Sequence, residues 1–382
     1  MNVLITGGAG FIGSRLAKRL ADRGDTVTVL DNLSPQVHGP DAAFPAQLQS
    51  FARCVQCDVG DAAMVKPLLK DQNVVVHLAA ETGTGQSMYA VSRYSQVNIQ
   101  GTAVLLDEIV NDRPRGLQKL VVASSRSVYG EGEYFCAMHG RVFPSARTAA
   151  NMLAGRFEPS CPHCDGQVTA LATTEEAPFV PSSFYGLTKQ MQEQMVLMFA
   201  GALGIDGFAL RYQNVYGPGQ SLTNPYTGIL AIFSNLVRRG QGLNIFEDGQ
   251  ESRDFVYIDD IVSATAACVD PCVRGVMALN VGSGVRTTVL DVANSIVRHF
   301  EADVPVQVTG AFRLGDIRHN FADITRITKL TGFAPEWSFE DGLREFLGWA
   351  GGHAATDVGF ERSLAELKER GMMQIGPGRG QG

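Results

Sequence analysis

The sequence predicts an α/β fold in which helices cover both faces of a doubly wound parallel sheet. Short apolar runs, mostly β-branched and without polar alternation, alternate with amphipathic stretches over the first 130 residues. Such runs are typical of strands that are buried on both faces, and their regular alternation with helices is typical of a doubly wound sheet. The predicted strands are residues 3–5, 27–30, 51–55, 74–78 and 120–123.

The composition excludes several classes of protein. The chain has 382 residues, of which 45% are hydrophobic and 19% charged, and this indicates a globular protein with a substantial core. Its net charge is −7 without a basic block, so we expect no nucleic-acid partner. No apolar run approaches the roughly 18 residues of a membrane span, and the N-terminus resembles a strand, not a signal peptide. Seven cysteines, an odd number, argue against a disulfide framework, so we expect a cytoplasmic protein with no membrane partner.

A glycine-rich turn follows the first predicted strand. The segment TGGAGFIG, residues 6–13, separates that strand from an amphipathic helix. Glycines at this spacing let the backbone approach a pyrophosphate bound at the helix N-terminus, although they could also serve only a tight packing turn. Asp31 ends the second strand, 18 residues after the last of these glycines, where its carboxylate would accept from both ribose hydroxyls and repel a 2′-phosphate. The pattern predicts a Rossmann-type site that favours NAD over NADP. The cofactor contacts predicted in the turn and at the strand ends are Gly7, Gly10, Phe11, Ile12, Gly13, Asp31, Asn32, Asp58, Val59, Leu78, Ala79 and Ala80.

The chain divides into three predicted regions. Residues 1–212 form the NAD-binding Rossmann domain, residues 213–350 a smaller, mixed α/β lobe interleaved with it, and residues 351–382 a C-terminal helix and flexible tail. Residues 131–177 break the alternation, because they are rich in Pro, Gly, Cys and His and show no period, and we interpret them as an insertion. The other predicted elements are helices at 183–203, 226–239, 259–269 and 289–300 and a strand that ends near Arg211.

Tyr185 and Lys189 are candidate catalytic residues. They are four residues apart, which places both side chains on one face of the predicted helix. A tyrosine acts as a base at neutral pH only if its pKa falls from about 10 toward about 7, which requires about 4 kcal/mol of preferential stabilisation of the phenolate. A nearby ammonium group and a positively charged nicotinamide could supply it, although a solvent-exposed pair at this spacing is also common. Ser125, at the end of the fifth strand, adds a hydroxyl where a reacting oxygen could lie.

Several motifs occur in a fixed order along most of the chain, namely TGGAGFIG, VASSRSVYG, YGLTK, LRYQNVYGPG, EDGQESRDFVYIDD, LNVGSG and RLGDIRH. In this combination the chain resembles the extended short-chain dehydrogenases/reductases of the NAD-dependent epimerase/dehydratase family. The resemblance implies that Ser125, Tyr185 and Lys189 are catalytic, with Tyr185 as the base and Lys189 also bound to the ribose. It also implies that the second lobe binds a nucleotide-diphosphate sugar, and that the protein is a homodimer through the helix of Tyr185 and the helix near residues 98–109. The further binding residues that it implies are Asn98 for NAD and Ser125, Asn214, Arg253, Arg313 and Asp316 for the nucleotide sugar.

Positions 126 and 127 bear on the reaction within this family. Its dehydratases carry Asp-Glu directly after the catalytic Ser/Thr, and related decarboxylases carry a Glu at the second position, whereas this chain has Arg126 and Ser127. The resemblance therefore implies a 4-epimerase that inverts the carbon-four hydroxyl through a transient 4-keto sugar, with a dTDP-6-deoxyhexose or a UDP-hexose as substrate. The alternatives are an NAD(P)-dependent reductase or dehydrogenase of nucleotide-4-keto sugars and a non-catalytic NAD-sensing protein. Gln213 also departs from the family pattern, in which an aromatic residue is usual.

Two short-spaced Cys/His pairs lie 25 residues apart in the insertion. They are Cys136 with His139 and Cys161 with Cys164, and His163 could replace His139. Such pairs of soft ligands are typical of a tetrahedral structural zinc site, which would order a long, aperiodic loop. Unliganded thiols and a disulfide are the alternatives. Because the insertion lies between Ser125 and Tyr185, we expect it to border the sugar pocket.

Overall fold

The N-terminal part of the chain alternates strands and helices. A computed structural model of the protein describes residues 1–39, 41–222, 224, 228–355 and 360–375. Up to the end of the fifth strand the strands are β1 (Asn2–Thr6), β2 (Thr26–Asp31), β3 (Ala52–Gln56), β4 (Val74–His77) and β5 (Lys119–Ser125). The helices are α1 (Phe11–Asp22), α2 (Pro35–His38), α3 (Ala46–Gln49), α4 (Ala62–Leu69), α5 (Thr84–Ser87), α6 (Val91–Tyr94) and α7 (Gly101–Asn111), with a π-helical segment (Ser95–Gln100) before α7.

The chain then forms the insertion and returns to the main sheet. A 3₁₀ turn (Arg126–Val128) is followed by β6 (Tyr134–Cys136), β7 (Gly140–Val142), α8 (Ala149–Leu153), β8 (Val168–Ala170), α9 (Phe184–Leu203) and β9 (Asp206–Tyr212). Strand β6 pairs antiparallel with both β7 and β8. The insertion therefore contains a small sheet of its own, which the aperiodic sequence does not predict.

The C-terminal lobe consists of short strands and helices. They are β10 (Asn214–Tyr216), α10 (Ile229–Arg238), β11 (Leu243–Ile245), β12 (Ser252–Arg253), β13 (Phe255–Tyr257), α11 (Ile258–Val269), β14 (Val276–Val281), β15 (Thr287–Thr288), α12 (Val289–His299), β16 (Val306–Val308), β17 (Ala311–Arg313), β18 (His319–Asn320), α13 (Thr325–Thr331), α14 (Phe339–Gly351), α15 (Phe360–Glu369) and β19 (Met373–Ile375). The first residues of the helix predicted at 226–239 and the tail residues 376–382 lie outside the described residues. Strand β19 pairs antiparallel with β17, a pairing that the sequence does not predict.

The main sheet has the strand order β14-β9-β5-β4-β1-β2-β3, and every neighbouring pair is parallel. The predicted Rossmann-type, doubly wound fold is therefore confirmed. Strands β4 and β5 are buried along their whole length, as expected for strands covered on both faces. The strand order reverses between β1 and β4, and ligands of such sheets bind in the crevice beyond the carboxyl ends of the strands at this point.

Helix α9 places the predicted catalytic pair against the main sheet. The hydroxyl oxygen of Ser183 accepts a hydrogen bond from the amide of Gly186 at 3.1 Å and caps the helix, which ends where Gly204 takes a left-handed conformation. A Cβ atom on Gly186 would lie 2.5 Å from the carbonyl oxygen of Ser127, so only glycine allows the helix to start so close to the residues after β5. Among the helices of the described residues, none combines the length and apolar character that a membrane crossing requires.

Candidate active site

The glycine-rich turn between β1 and α1 forms one wall of a crevice. A Cβ atom on Gly7 would lie 2.7 Å from the amide nitrogen of Ala79, and one on Gly13 would lie 2.4 Å from the carbonyl oxygen of Gly7. Gly7 also has a φ of +68°, which favours glycine. No side chain caps the first turn of α1, whose N-cap is Gly10. The amides at this helix N-terminus can therefore bind a pyrophosphate, as the sequence predicts.

Asp31 lies at the carboxyl end of β2 beside this turn. Its carboxylate accepts hydrogen bonds from the amides of Ala9 at 3.0 Å and Leu33 at 2.9 Å. The Nε2 atom of His38 is 3.5 Å from the same carboxylate. This arrangement fixes an acidic group at the edge of the crevice, where a ribose with free hydroxyls fits better than one that carries a phosphate.

The crevice encloses a cavity of about 830 Å³, large enough for a cofactor. The lining includes every residue that the sequence analysis assigned to the turn and the strand ends, and it also includes Ser125, Tyr185 and Lys189. The structure thus brings one predicted set of cofactor residues and the three predicted catalytic residues to one cavity. At Gly7 and Gly13 the turn leaves no room for a Cβ atom, and Asp31 supplies a carboxylate that can bind ribose hydroxyls. These features fit NAD.

Asn98 lies beside this cavity and does not line it. Its side chain is completely buried, accepts a hydrogen bond from the amide of Glu81 at 2.7 Å and donates one to the Thr188 hydroxyl at 2.9 Å. It therefore connects the segment after β4 to the helix that carries Tyr185. This geometry favours a positioning role for Asn98 over the direct cofactor contact that the resemblance implies.

Lys189 is buried and Tyr185 is half-buried at the wall of the crevice. The Lys189 ammonium donates a hydrogen bond to the carbonyl oxygen of Ala123 at 3.0 Å and lies 6.0 Å from the centre of the Tyr185 ring. Burial lowers the pKa of Lys189 to about 7. Burial raises the pKa of Tyr185, and a hydrogen bond with Ser125 and the charge of Arg126 oppose this increase without cancelling it. A positive charge from a cofactor would lower the pKa of Tyr185 further toward the value that a base needs.

Arg126 extends the site from Ser125 toward the second lobe. Its Nε atom donates a hydrogen bond to the Asn214 side chain at 2.6 Å. Burial and the charge of Arg253 lower the pKa of Arg126 to about 9. Arg126 thus places a cation directly after Ser125, where dehydratases of the family that this sequence resembles carry a carboxylate.

The predicted diphosphate-binding residues lie together in the second lobe. One oxygen of the Asp316 carboxylate accepts a hydrogen bond from Arg253 at 2.9 Å, and the other accepts one from Arg313 at 2.8 Å. Burial would raise the pKa of Asp316, but the charges of Arg313 and Arg253 prevail and hold it well below its usual range. Two guanidinium groups held by one carboxylate offer planar donors that can bind the paired phosphates of a nucleotide diphosphate.

The four predicted metal ligands of the insertion also come together. The ligand atoms of Cys136, His139, Cys161 and Cys164 all lie within 4.8 Å of one another. The sulfur of Cys136 is 3.9 Å from that of Cys164 and 3.6 Å from the Nδ1 atom of His139, which is 3.5 Å from the sulfur of Cys161. A tetrahedral zinc site with ordinary bond lengths separates two sulfurs by about 3.8 Å and sulfur from nitrogen by about 3.6 Å. All seven cysteines are free thiols, so the structure holds none of the disulfides that the sequence left open.

Two groups of residues near the site were missed or left unassigned by sequence reasoning. Glu131 and Arg147 are buried insertion residues that form an ion pair of 3.0 Å, and their scattered positions give no local motif. The buried side-chain amide of Gln213 lines the crevice and has no hydrogen-bond partner among the described residues. Its departure from the usual aromatic residue is the signal that could have marked Gln213 as a ligand contact.

A Rossmann-type sheet whose crevice holds serine, tyrosine and lysine in this arrangement is the architecture of short-chain dehydrogenases/reductases. Within that class, the chain belongs to the NAD dependent epimerase/dehydratase family, whose model matches residues 3–146 and 160–282. The residues between the two matched segments, 147–159, lie in the insertion.

Relatives and solved structures support the same assignment. The dTDP-L-rhamnose 4-epimerase of Burkholderia thailandensis is 41% identical over 349 residues, which cover 91% of this chain and 94% of that protein. The UDP-glucose 4-epimerase of Thermotoga maritima, solved with UDP-glucose, is 28% identical with a TM-score of 0.73, covering 92% of this chain and 99% of that one. The UDP-glucose 4-epimerase of Thermus thermophilus, solved with NAD, is 26% identical with a TM-score of 0.72, covering 93% of this chain and 100% of that one.

Proposed function

We propose that the protein is an NAD-dependent nucleotide-sugar 4-epimerase. The observation that carries the proposal is that Ser125, Tyr185 and Lys189 line the same glycine-walled crevice. Arg126 follows Ser125 and bonds to Asn214 on the side of the second lobe. The site thus has a candidate base, and an arginine occupies the position where elimination of water would need an acid. Oxidation and reduction at one carbon require no further acid or base from the protein.

The residues of the chain have separate tasks in this reaction. Bound NAD would supply the hydride acceptor for the oxidation of the sugar carbon and the hydride donor for its reduction. Tyr185 accepts the proton of the carbon-four hydroxyl through Ser125 and gives it back when the ketone is reduced. Lys189, whose ammonium group lies 6.0 Å from the centre of the Tyr185 ring, would bind the nicotinamide ribose beside that base. Arg253 and Arg313 hold the diphosphate while the keto-sugar turns its opposite face toward the cofactor.

We further propose a dTDP-6-deoxyhexose as the substrate. The support is the 41% identity, over nearly the whole chain, to the protein named dTDP-L-rhamnose 4-epimerase. A UDP-hexose is the alternative, because the solved structure from Thermotoga maritima contains UDP-glucose. Gln213 is compatible with both substrates, because its buried amide could bond to a hydroxyl of either sugar or to the carboxamide of the cofactor.

Proton NMR of the purified protein tests the function directly. The protein is incubated, with no cofactor added, with dTDP-L-rhamnose, UDP-glucose or UDP-galactose. We expect a new epimer signal from one of them, and Tyr185→Phe should lower kcat about a thousandfold, because general acid–base catalysis contributes about 10²–10⁴. Tyr216→Phe is the matched control, because Tyr216 is a buried tyrosine outside the crevice that donates one hydrogen bond to the carbonyl oxygen of Phe339. Turnover that appears only when a reduced nicotinamide and a keto-sugar are supplied would identify a reductase instead.

We also propose a structural zinc ion bound by Cys136, His139, Cys161 and Cys164. The support is the agreement of their separations with tetrahedral zinc geometry. A hydrogen bond with His139 lowers the pKa of Cys136 to about 6, and a thiolate is the form that a metal binds. Zinc would fix the small sheet of the insertion, which is too short to be stable by itself.

A homodimer and a cytoplasmic location complete the proposal. Leu187, Met191 and Met198 on α9 are 40%, 37% and 61% exposed, and their spacing places them on one face of the helix. This apolar face supports dimerisation through α9, which light scattering of the purified protein would detect as twice the chain mass. Seven free thiols fit a reducing compartment such as the cytoplasm.

A further inference from the structure

The segment Asp316 to Arg318 carries the contacts that orient Arg253. Besides its bond to the Asp316 carboxylate, Arg253 donates to the carbonyl oxygens of Ile317 at 2.8 Å and Arg318 at 3.0 Å. Arg313 reaches the same carboxylate from the strand before this segment. A shift in the backbone of this segment would therefore move both candidate diphosphate-binding arginines.

The insertion holds this segment from the opposite side through Arg147. The Nη2 atom of Arg147 donates a hydrogen bond of 2.9 Å to the carbonyl oxygen of Asp316. Its other nitrogens donate to the carboxylates of Glu131 at 3.0 Å and Glu247 at 2.7 Å, and to the carbonyl oxygen of Phe157 at 3.1 Å. The planar guanidinium group of Arg147 thus connects the insertion to the second lobe, including the backbone of Asp316.

Glu131 completes the connection. The carboxylate oxygen that does not bind Arg147 accepts a hydrogen bond of 2.7 Å from the backbone amide of Arg318. Arg147 and Glu131 are only 3% and 2% exposed at their side chains. Water therefore cannot readily replace either partner of this ion pair. Hydrogen bonds between such buried groups are electrostatically stronger than the same bonds in water.

We propose that Arg147 is a positioning residue through which the insertion holds Asp316, and with it Arg253 and Arg313, in the geometry that binds the substrate diphosphate. The inference depends on the proposed function, because it takes the diphosphate to be bound by those two arginines. It gives the insertion a role in substrate affinity and leaves the cofactor crevice unaffected, because neither Arg147 nor any of its bonding partners lines that crevice.

Calorimetric titration of the NAD-loaded enzyme with dTDP and with UDP tests this role. Arg147→Lys keeps a positive charge between Glu131 and Glu247, but an ammonium group lacks the planar fork that reaches four acceptors. We expect the nucleotide Kd and the substrate KM to rise about tenfold, a ratio that corresponds to about 1.4 kcal/mol. The NAD content and kcat should stay within about twofold, because the contacts of Arg147 lie outside the crevice. Arg156→Lys is the matched control, since Arg156 is an exposed arginine of the same insertion that bonds to Asn151, and it should change none of these values.

Each result decides a separate question. An unchanged Kd in Arg147→Lys would overturn the inference alone, and so would a loss of NAD content that matches the loss of nucleotide binding, because it would show a general folding defect. If Arg147→Lys does not fold, Arg147→Gln replaces it; the shorter amide cannot donate to Glu131, Glu247 and the Asp316 carbonyl oxygen at once, and an unchanged Kd there contradicts the inference. Wild-type enzyme that binds neither dTDP nor UDP would contradict the proposed substrate site as well.

Discussion

The cofactor crevice and the substrate side of the same cleft are built by different means. The crevice is made from backbone that passes close to backbone, as where Gly13 faces the carbonyl oxygen of Gly7. The substrate side is made from buried charged side chains that join distant parts of the chain. Glu131 binds the amide of Arg318, 187 residues away, and Arg147 binds the carbonyl oxygen of Asp316, 169 residues away.

Because of this difference, the two sides should tolerate different kinds of amino-acid substitution. A crevice that depends on the absence of side chains fails when a single methyl group is added, whatever the charge of its surroundings. A site that depends on paired buried charges tolerates nearby changes in volume better, but it fails when one partner is removed, because the other charge stays buried without compensation. Substitutions on the two sides should therefore have effects of different kinds as well as different sizes.

The largest effect is expected from Gly13→Ala on the cofactor side. The added Cβ atom would lie 2.4 Å from a backbone oxygen that cannot move alone, and overpacking of this kind costs about 1–3 kcal/mol. The turn that faces the pyrophosphate must shift, so we expect the purified protein to lose its NAD and its activity, measured by release of the nucleotide in acid. Gly201→Ala is the control, because a Cβ atom on Gly201 in α9 meets nothing within 4 Å. NAD retained at the wild-type level in Gly13→Ala would show that the crevice does not bind the cofactor in this way.

A smaller effect is expected when the Cys/His cluster of the insertion, the proposed zinc site, is broken. Cys161→Ser should reduce the zinc content from about one ion per chain to a trace, measured by atomic emission. It should also lower Tm, because a lost structural metal no longer offsets the entropy of the insertion. The exposed Cys272 lies outside the cluster, so Cys272→Ser should keep both values. Unchanged metal content and Tm in Cys161→Ser would leave the cysteines as unliganded thiols.

Much of the cofactor side could be predicted because its signals are local. Strands β1, β4 and β5 have uninterrupted apolar runs. Tyr185 and Lys189 lie on one helix, whose cap, Ser183, is close in the sequence. The predicted cofactor contact of Asn98 stays a prediction, and the protein partners of Asn98 have no local signal in the sequence. The amide of Asn98 bonds to Glu81 and Thr188 instead of lining the crevice.

The substrate side could be predicted only in part, because its contacts are not local. The Cys and His spacing predicted which residues of the insertion meet, since both pairs have short spacings within one segment. Strands β6, β7 and β8 were not predicted, because three-residue strands have no period to detect. Arg147 has no motif either, and its role becomes visible only when the chain brings Asp316 to it.

The smallest effect is a shift in pH dependence, and it concerns Arg126, where the two sides meet. The charge of Arg126 opposes the burial that raises the pKa of Tyr185. Tyr185 acts as a base when it is deprotonated, so kcat/KM should rise with pH through the pKa of Tyr185. In Arg126→Met that pKa should increase, and the rise in kcat/KM should move to higher pH. Arg126→Lys keeps the charge and should restore the wild-type profile, even if the loss of the bond to Asn214 raises KM. A profile that does not move in Arg126→Met would mean that Arg126 acts on the substrate alone, and the cofactor side would then titrate independently of the substrate side.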